Sequence, residues 1–116
     1  MKHEMRLDAA PFAAIARGDK TVEMRLYDEK RRRIALGDEI LFCERGTDRT
    51  LSASVVALHR FPTFRELYAA LPLTSCGYTP EEVATASPAD MERYYSLAEQ
   101  ERYGVLGIEI RRKGEE

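Results

Sequence analysis

The residues of this chain best suited to chemistry fall within eight positions, Gly18-Asp-Lys-Thr-Val-Glu-Met-Arg25. Lys20 offers a mobile ammonium, and Arg25 offers a planar fork that suits a phosphate or a carboxylate. Glu23 lies between them. A carboxylate within reach of two cations stays ionised, and it can act as a base or orient the arginine fork. The segment from Thr21 to Leu26 alternates in polarity. As a strand it would turn Val22, Met24 and Leu26 toward a core and Thr21, Glu23 and Arg25 to the opposite face. A salt-bridged cluster on an exposed strand would give the same pattern.

Other groups could join this face. Lys30 to Arg33 is the strongest positive run, and contacts from Arg31 and Arg32 to phosphate would add salt-sensitive affinity; a solvated face reads the same way. Tyr27, in phase with Arg25, could stack on an unpaired base or pack at a rim. Tyr94, Tyr95 and Ser96 precede the last strand, where two aromatics and a hydroxyl could close over a site. A lysine beside a serine can activate the hydroxyl, which makes Lys20, Glu23 and Ser96 candidate catalytic groups. A helix end packed by Tyr94, with Ser96 incidental, is the alternative. His59 is in phase with the inward positions of its strand and reads as a core or rim histidine. Cys43 and Cys76 fit neither a disulfide framework nor a metal spacing, so both are expected to be free thiols in a reducing compartment. No zinc-hydrolase, P-loop or Ser-His-Asp pattern occurs. No metal site is expected, and no cofactor is indicated.

The elements that must position these groups can be read next. The 116 residues suffice for one domain, 1–116, with a core that needs no staples. A composition of 44% hydrophobic and 33% charged residues is globular rather than disordered. The net charge of -2 means that a polyanion must be met by a local basic patch. No run of ~18 apolar residues and no leader-like opening is present, so a soluble, cytoplasmic protein away from membranes is expected.

His3 to Leu7 reads as a short strand. Asp8 then caps a helix that carries Phe12 and Ile15 and ends at Gly18. Gly37-Asp38 turns into a strand from Glu39 to Arg45, and Leu51 to Phe61 reads as a long hairpin partner with Leu51, Ala53, Val55 and Ala57 in phase. Thr63-Phe-Arg-Glu66 is a capping box for a helix buried through Leu67, Tyr68 and Leu71. Thr79-Pro-Glu-Glu82 and Ser87-Pro-Ala-Asp90 start two more short helices. Tyr103 to Ile110 is a final strand with Leu106, Ile108 and Ile110 inward, followed by a charged, frayed tail from Arg111 to Glu116. Strands on both sides of a helical insertion indicate an α+β fold with a largely antiparallel, partly closed sheet.

The Gly-x-Lys-x-x-Glu-x-Arg pattern of residues 18–25 resembles the ASCH signature. The preceding Pro-Phe helix, the Gly-Asp turn and the closing Tyr-Gly-Val-Leu-Gly-Ile-Glu-Ile strand extend the resemblance over nearly the whole chain. It implies a PUA-like, mostly antiparallel β-barrel with several short flanking helices. It also implies a role in RNA binding or processing, with RNA or a nucleotide-like ligand held by Lys20, Arg25, Tyr27, Arg31, Arg32 and Tyr95. A ribonuclease or an N4-acetylcytidine amidohydrolase is the alternative. The amidohydrolase members carry a Thr three residues after the lysine, where this chain has Glu23.

Overall fold

The computed structural model describes residues 1–113. Five strands form one curled sheet: β1 (Lys2–Leu7), β2 (Val22–Leu26), β3 (Glu39–Glu44), β4 (Thr50–Phe61) and β5 (Val105–Arg112). Their spatial order is β1-β3-β4-β5-β2. The β1–β3 pairing is parallel and the other three are antiparallel. Helix α1 (Ala9–Arg17) joins the two edge strands, β1 and β2. Between β4 and β5 lie α2 (Phe64–Ala70), α3 (Pro80–Val83), a 3-10 turn (Pro88–Arg93) and α4 (Leu97–Tyr103). The sheet is an open half-barrel, and its two ends are the strands that flank α1. Among the described residues no helix is long and apolar enough to cross a membrane.

The curled sheet is apolar on both faces. Inside it Phe12 and Ile15 of α1 pack on Met5, Leu7, Ile40, Phe42, Ala53, Val55, Leu106, Ile108 and Ile110. The other face carries Val22, Met24, Leu26 and Val105 against Phe64, Leu67 and Tyr68 of α2. Phe64 and Leu67 are fully buried, each worth about 1.5–3 kcal/mol of apolar transfer. The β5 residues expected inward are inside the half-barrel, and the β2 residues expected to face a core do so on the opposite face of the sheet, under α2. Val105, on the opposite face of β5, is buried as well, because the helical insertion covers that face.

Gly107 makes this cover possible. A Cβ there would stand 3.0 Å from Leu71 Cδ1 and 3.3 Å from Val22 Cγ1. Gly107→Val should cost about 1–3 kcal/mol by overpacking, read as a lower urea midpoint at unchanged slope.

Two expectations are corrected in β4 and β5. A bulge between Val55 and Ala57 breaks the register against β5 and reverses the alternation. Val56 is exposed, Leu58 takes over the inward position expected of Ala57, and His59 turns to the other face, where it meets Glu109 Oε1 at 3.0 Å. A bulge leaves one residue unpaired and flips every side chain after it. The tail expected from Arg111 is strand through Arg112, and residues 114–116 lie outside the described residues.

Candidate functional site

Lys20 stands in a turn fixed from both sides. Gly18 ends α1 in the left-handed region at φ 86°, and the N–H groups of Asp19 and Lys20 return to the Ala14 carbonyl at 3.0 and 3.1 Å. The next two N–H groups, from Thr21 and Val22, donate to the Ser75 carbonyl of the insertion at 2.9 and 3.0 Å. The insertion also packs on the lysine stem. Gly77, at φ 113°, brings its backbone so close that a Cβ would lie 3.4 Å from Lys20 Cδ.

The alternation of β2 sends Glu23 and Arg25 to the face opposite the α2 core, and that face is also enclosed. Glu23 is only 4% exposed and Lys20 9%. The Glu23 carboxylate is shared: Lys20 Nζ lies 3.1 Å from Oε1 and Arg25 Nε 2.6 Å from Oε2. Lys20 also donates to the Cys76 carbonyl at 3.3 Å. Burial pushes the Glu23 carboxyl up, and the charges of Lys20 and Arg25 together outweigh it, so the group lies below the usual carboxylate range. Burial likewise works against the Arg25 charge, and Glu23 reverses the balance, raising it above its ordinary value. The result is a cation–carboxylate–cation row with one net positive charge.

Arg25 does a second job. Its Nη2 donates to the Arg6 carbonyl at 3.1 Å, from edge strand β2 to edge strand β1. The two ends of the half-barrel are thus joined by a side chain where the sheet has no backbone ladder.

The row forms the floor of a cleft of about 730 Å³. One wall is α1 with Arg6, Asp8 and Arg45, and the other is the insertion from Cys76 to Tyr95. Asp8 and Arg45 neutralise each other at 2.9 Å. Arg6 and Arg93 are exposed; the hydrogen bond from Tyr78 holds the neighbouring Asp90 carboxyl below its ordinary value, and the Arg93 charge adds to this. Tyr94, 60% exposed, lines the mouth beside Tyr95, with ring centroids 6.5 Å apart; Tyr95 in turn stacks on Phe64 at 6.0 Å. Tyr78 hydrogen-bonds to Tyr68 at 2.6 Å and donates to Asp90 at 2.8 Å, which braces the insertion wall. Burial raises the Cys76 thiol to about 11, against the pull of Lys20, so it stays protonated and weakly nucleophilic at neutral pH. Among the described residues no group of three or more His, Cys, Asp or Glu side chains could hold a metal ion.

Of the residues singled out in the sequence, Lys20, Glu23, Arg25 and Tyr95 meet in this cleft. Tyr27, Arg31 and Arg32 are not among its lining residues. Tyr27 follows the last residue of β2 and packs on the barrel core, with the guanidiniums of Arg60 and Arg32 4.1 and 5.3 Å from its ring centroid. Arg31 is held by Asp28 at 3.1 Å. Ser96 also lies outside the lining set: it is the N-cap of α4, its hydroxyl accepting the Glu99 N–H at 3.1 Å while Glu99 accepts the Ser96 N–H at 2.9 Å. Ser96→Ala should cost about 1 kcal/mol of stability, seen in thermal unfolding, and leave ligand binding unchanged. Tyr94 lines the cleft beside Tyr95, whereas Arg6, Tyr78 and Arg93 were not expected as site residues. Only the pairing of β1 and the path of the insertion bring these three to the cleft.

A curled five-strand half-barrel with flanking short helices and a polar cleft along its seam defines a PUA-like domain. The comparisons with known proteins agree. The ASCH domain model matches residues 5–113, and the chain belongs to the ASCH domain family, which is of the RNA-binding, PUA-like kind. Similar solved structures include the crystal structure of the hypothetical protein PH0355, 32% identical over 97% of this chain and 99% of that one, with a TM-score of 0.78. The solution structure of protein PF0455 from Pyrococcus furiosus is 31% identical over 99% of this chain and 100% of that one, at a TM-score of 0.69. The crystal structure of ASCH from Zymomonas mobilis shares the fold at 20% identity and a TM-score of 0.57, covering 93% of this chain and 66% of that one. Among curated proteins no relative matches the chain.

Proposed function

We propose that the chain binds single-stranded RNA, or a nucleotide-sized part of it, in the cleft between α1 and the insertion. The observation that carries this reading is the floor: a buried Lys20–Glu23–Arg25 row with one net positive charge, open to a cleft with exposed cations and an exposed tyrosine at its mouth. The cleft volume of about 730 Å³ falls within the roughly 300–1,000 Å³ of small-ligand sites. Tyr94 offers a stacking surface for a splayed base, and Arg6 and Arg93 offer phosphate contacts.

Hydrolysis of RNA or of N4-acetylcytidine would require a nucleophile or an activated water at the floor. The groups there are two cations, a carboxylate shared between them, and a protonated thiol. That set supports holding a ligand over cutting one.

The test is titration of short single-stranded RNA into the wild type, Arg6→Ala and Arg93→Ala at several salt concentrations. Each substitution should weaken binding and lower the slope of log affinity against log salt by about 0.7. Absence of binding by the wild type at low salt would remove the proposal. RNA fragments or released acetate that appear with the wild type and not with Lys20→Ala would replace it with the hydrolytic alternative.

A further inference from the structure

We infer that Arg32 and Arg60, gathered on Tyr27 at the rim of the half-barrel, form a second station for backbone phosphates of an RNA strand that runs out of the cleft; the inference rests on the RNA-binding reading above. The two guanidinium carbons lie 5.3 and 4.1 Å from the centroid of the Tyr27 ring. Both side chains are exposed, and neither lines the cleft.

The turn after β2 builds this cluster. The Asp28 carboxylate accepts the Arg31 N–H at 3.1 Å and holds the Arg31 guanidinium at the same distance, while the Asp28 carbonyl accepts the Arg32 N–H at 2.9 Å. Ile34 anchors the end of the turn in the barrel core, its N–H donating to the Arg31 carbonyl at 3.1 Å. Arg32 is thereby brought to Tyr27, whose carbonyl accepts from Arg32 Nε at 3.3 Å. Arg60 arrives from β4, one residue before its end. The Tyr27 N–H is tied to the Gly104 carbonyl at 2.9 Å, just ahead of β5, the strand that pairs with β4. Two cations far apart in the chain thus meet at one ring.

Their charges are not spent within the protein. Arg31 is paired with Asp28 and Arg33 with Glu29, whereas among the described residues no carboxylate pairs with Arg32 or Arg60. Of their donors only Arg32 Nε is engaged. An aromatic ring beside a guanidinium holds it in place without using its N–H groups, and a guanidinium so held suits bidentate contact with phosphate. The same turn adjoins the cleft. Tyr95 lines the cleft, and the charges of Arg31 and Asp28 act on its hydroxyl. Arg25 of the floor stands two residues before Tyr27, roughly 7 Å along an extended chain. That continuity favours a nucleic-acid backbone over an acidic protein segment as the partner of these cations.

The experiment is titration of a single-stranded RNA of about eight nucleotides into the wild type, Arg32→Ala, Arg60→Ala and the double variant at several salt concentrations. Arg111→Ala serves as the control for net charge, since Arg111 is exposed and lies opposite Ser54 at the far end of β5 from Leu106, the partner of Arg60. Each single substitution at the cluster should lower the slope of log affinity against log salt by about 0.7, and the double one by about 1.4. Arg60→Lys, which keeps the charge, and Arg111→Ala should both retain the wild-type slope. Wild-type slopes in Arg32→Ala and Arg60→Ala, with Arg6→Ala still lowering it, would overturn the second station and leave the cleft reading standing. An equal fall in Arg111→Ala would show a net-charge effect and overturn it as well. Absence of RNA binding by the wild type at low salt would overturn both. Polyglutamate bound as tightly as the RNA, with the same dependence on Arg32 and Arg60, would overturn the RNA assignment in favour of an acidic protein segment.

Discussion

Glu23→Gln should lower the unfolding free energy at neutral pH by about 3–5 kcal/mol, because it leaves Lys20 and Arg25 enclosed without their shared counter-charge. The loss should depend on pH in a fixed direction. The folded-state carboxyl lies below its ordinary value of 4.5, so in the wild type its contribution is fully present above about that pH. It is lost as pH falls through the lower, folded-state value. The gap between wild type and Glu23→Gln should therefore be widest near neutrality and should narrow on acidification below about 4.5. Urea unfolding of both proteins across this range tests it; a gap that widened toward acid would show that the carboxylate is not stabilised by its neighbours.

The second large effect is expected at Arg25, whose guanidinium meets Glu23, the Arg6 carbonyl and Tyr95. Arg25→Ala should cost about 3–5 kcal/mol, since it removes one of the two charges that hold Glu23. Arg25→Lys keeps the charge and loses the fork, so the Arg6 carbonyl or the carboxylate loses its donor, at about 1–3 kcal/mol. The two variants should also differ from an ordinary core mutation in where they act. Amide exchange in β1 and β2, the strands joined by this side chain, should accelerate more than in β4 and β5, which are paired on both sides. Uniform acceleration across the sheet would argue that Arg25 contributes only to global stability.

The parts of this molecule that were legible in the sequence are those set by short-range rules. The period of two in β2 correctly placed Val22, Met24 and Leu26 in the core and Glu23 and Arg25 together on the other face. The capping boxes at Thr63, Thr79 and Ser87 each start a helical turn. The same rule read at Ser96 would have found α4; its hydroxyl was weighed for chemistry, and the glutamate three residues on was the signal for a cap. What was not legible depends on distant pairings. The bulge after Val55 leaves no mark in an alternating strand, so His59 was placed on the wrong face. Tyr27 kept the phase of Arg25 only on paper, because β2 ends at Leu26 and the chain turns. That β1 lies parallel to β3, bringing Arg6 to the cleft, follows from the closure of the sheet and from no local pattern.

The insertion that walls the cleft leaves the sheet after Phe61 and re-enters it at Val105, and these two residues are register partners. Its ends are therefore already held together by the ladder, so lengthening or shortening the segment between them changes the closure entropy by only about 0.6 kcal/mol for each doubling of length. The floor has no such freedom, since Arg25 also fastens the barrel's two edges. A domain built this way can exchange one wall for another and so take up a different ligand shape. The polar row beneath stays fixed as long as Ser75 to Gly77, which brace the Lys20 turn, are kept, and retailoring by replacement of the wall beyond them, rather than by point changes at Lys20, Glu23 or Arg25, is the route the architecture leaves open.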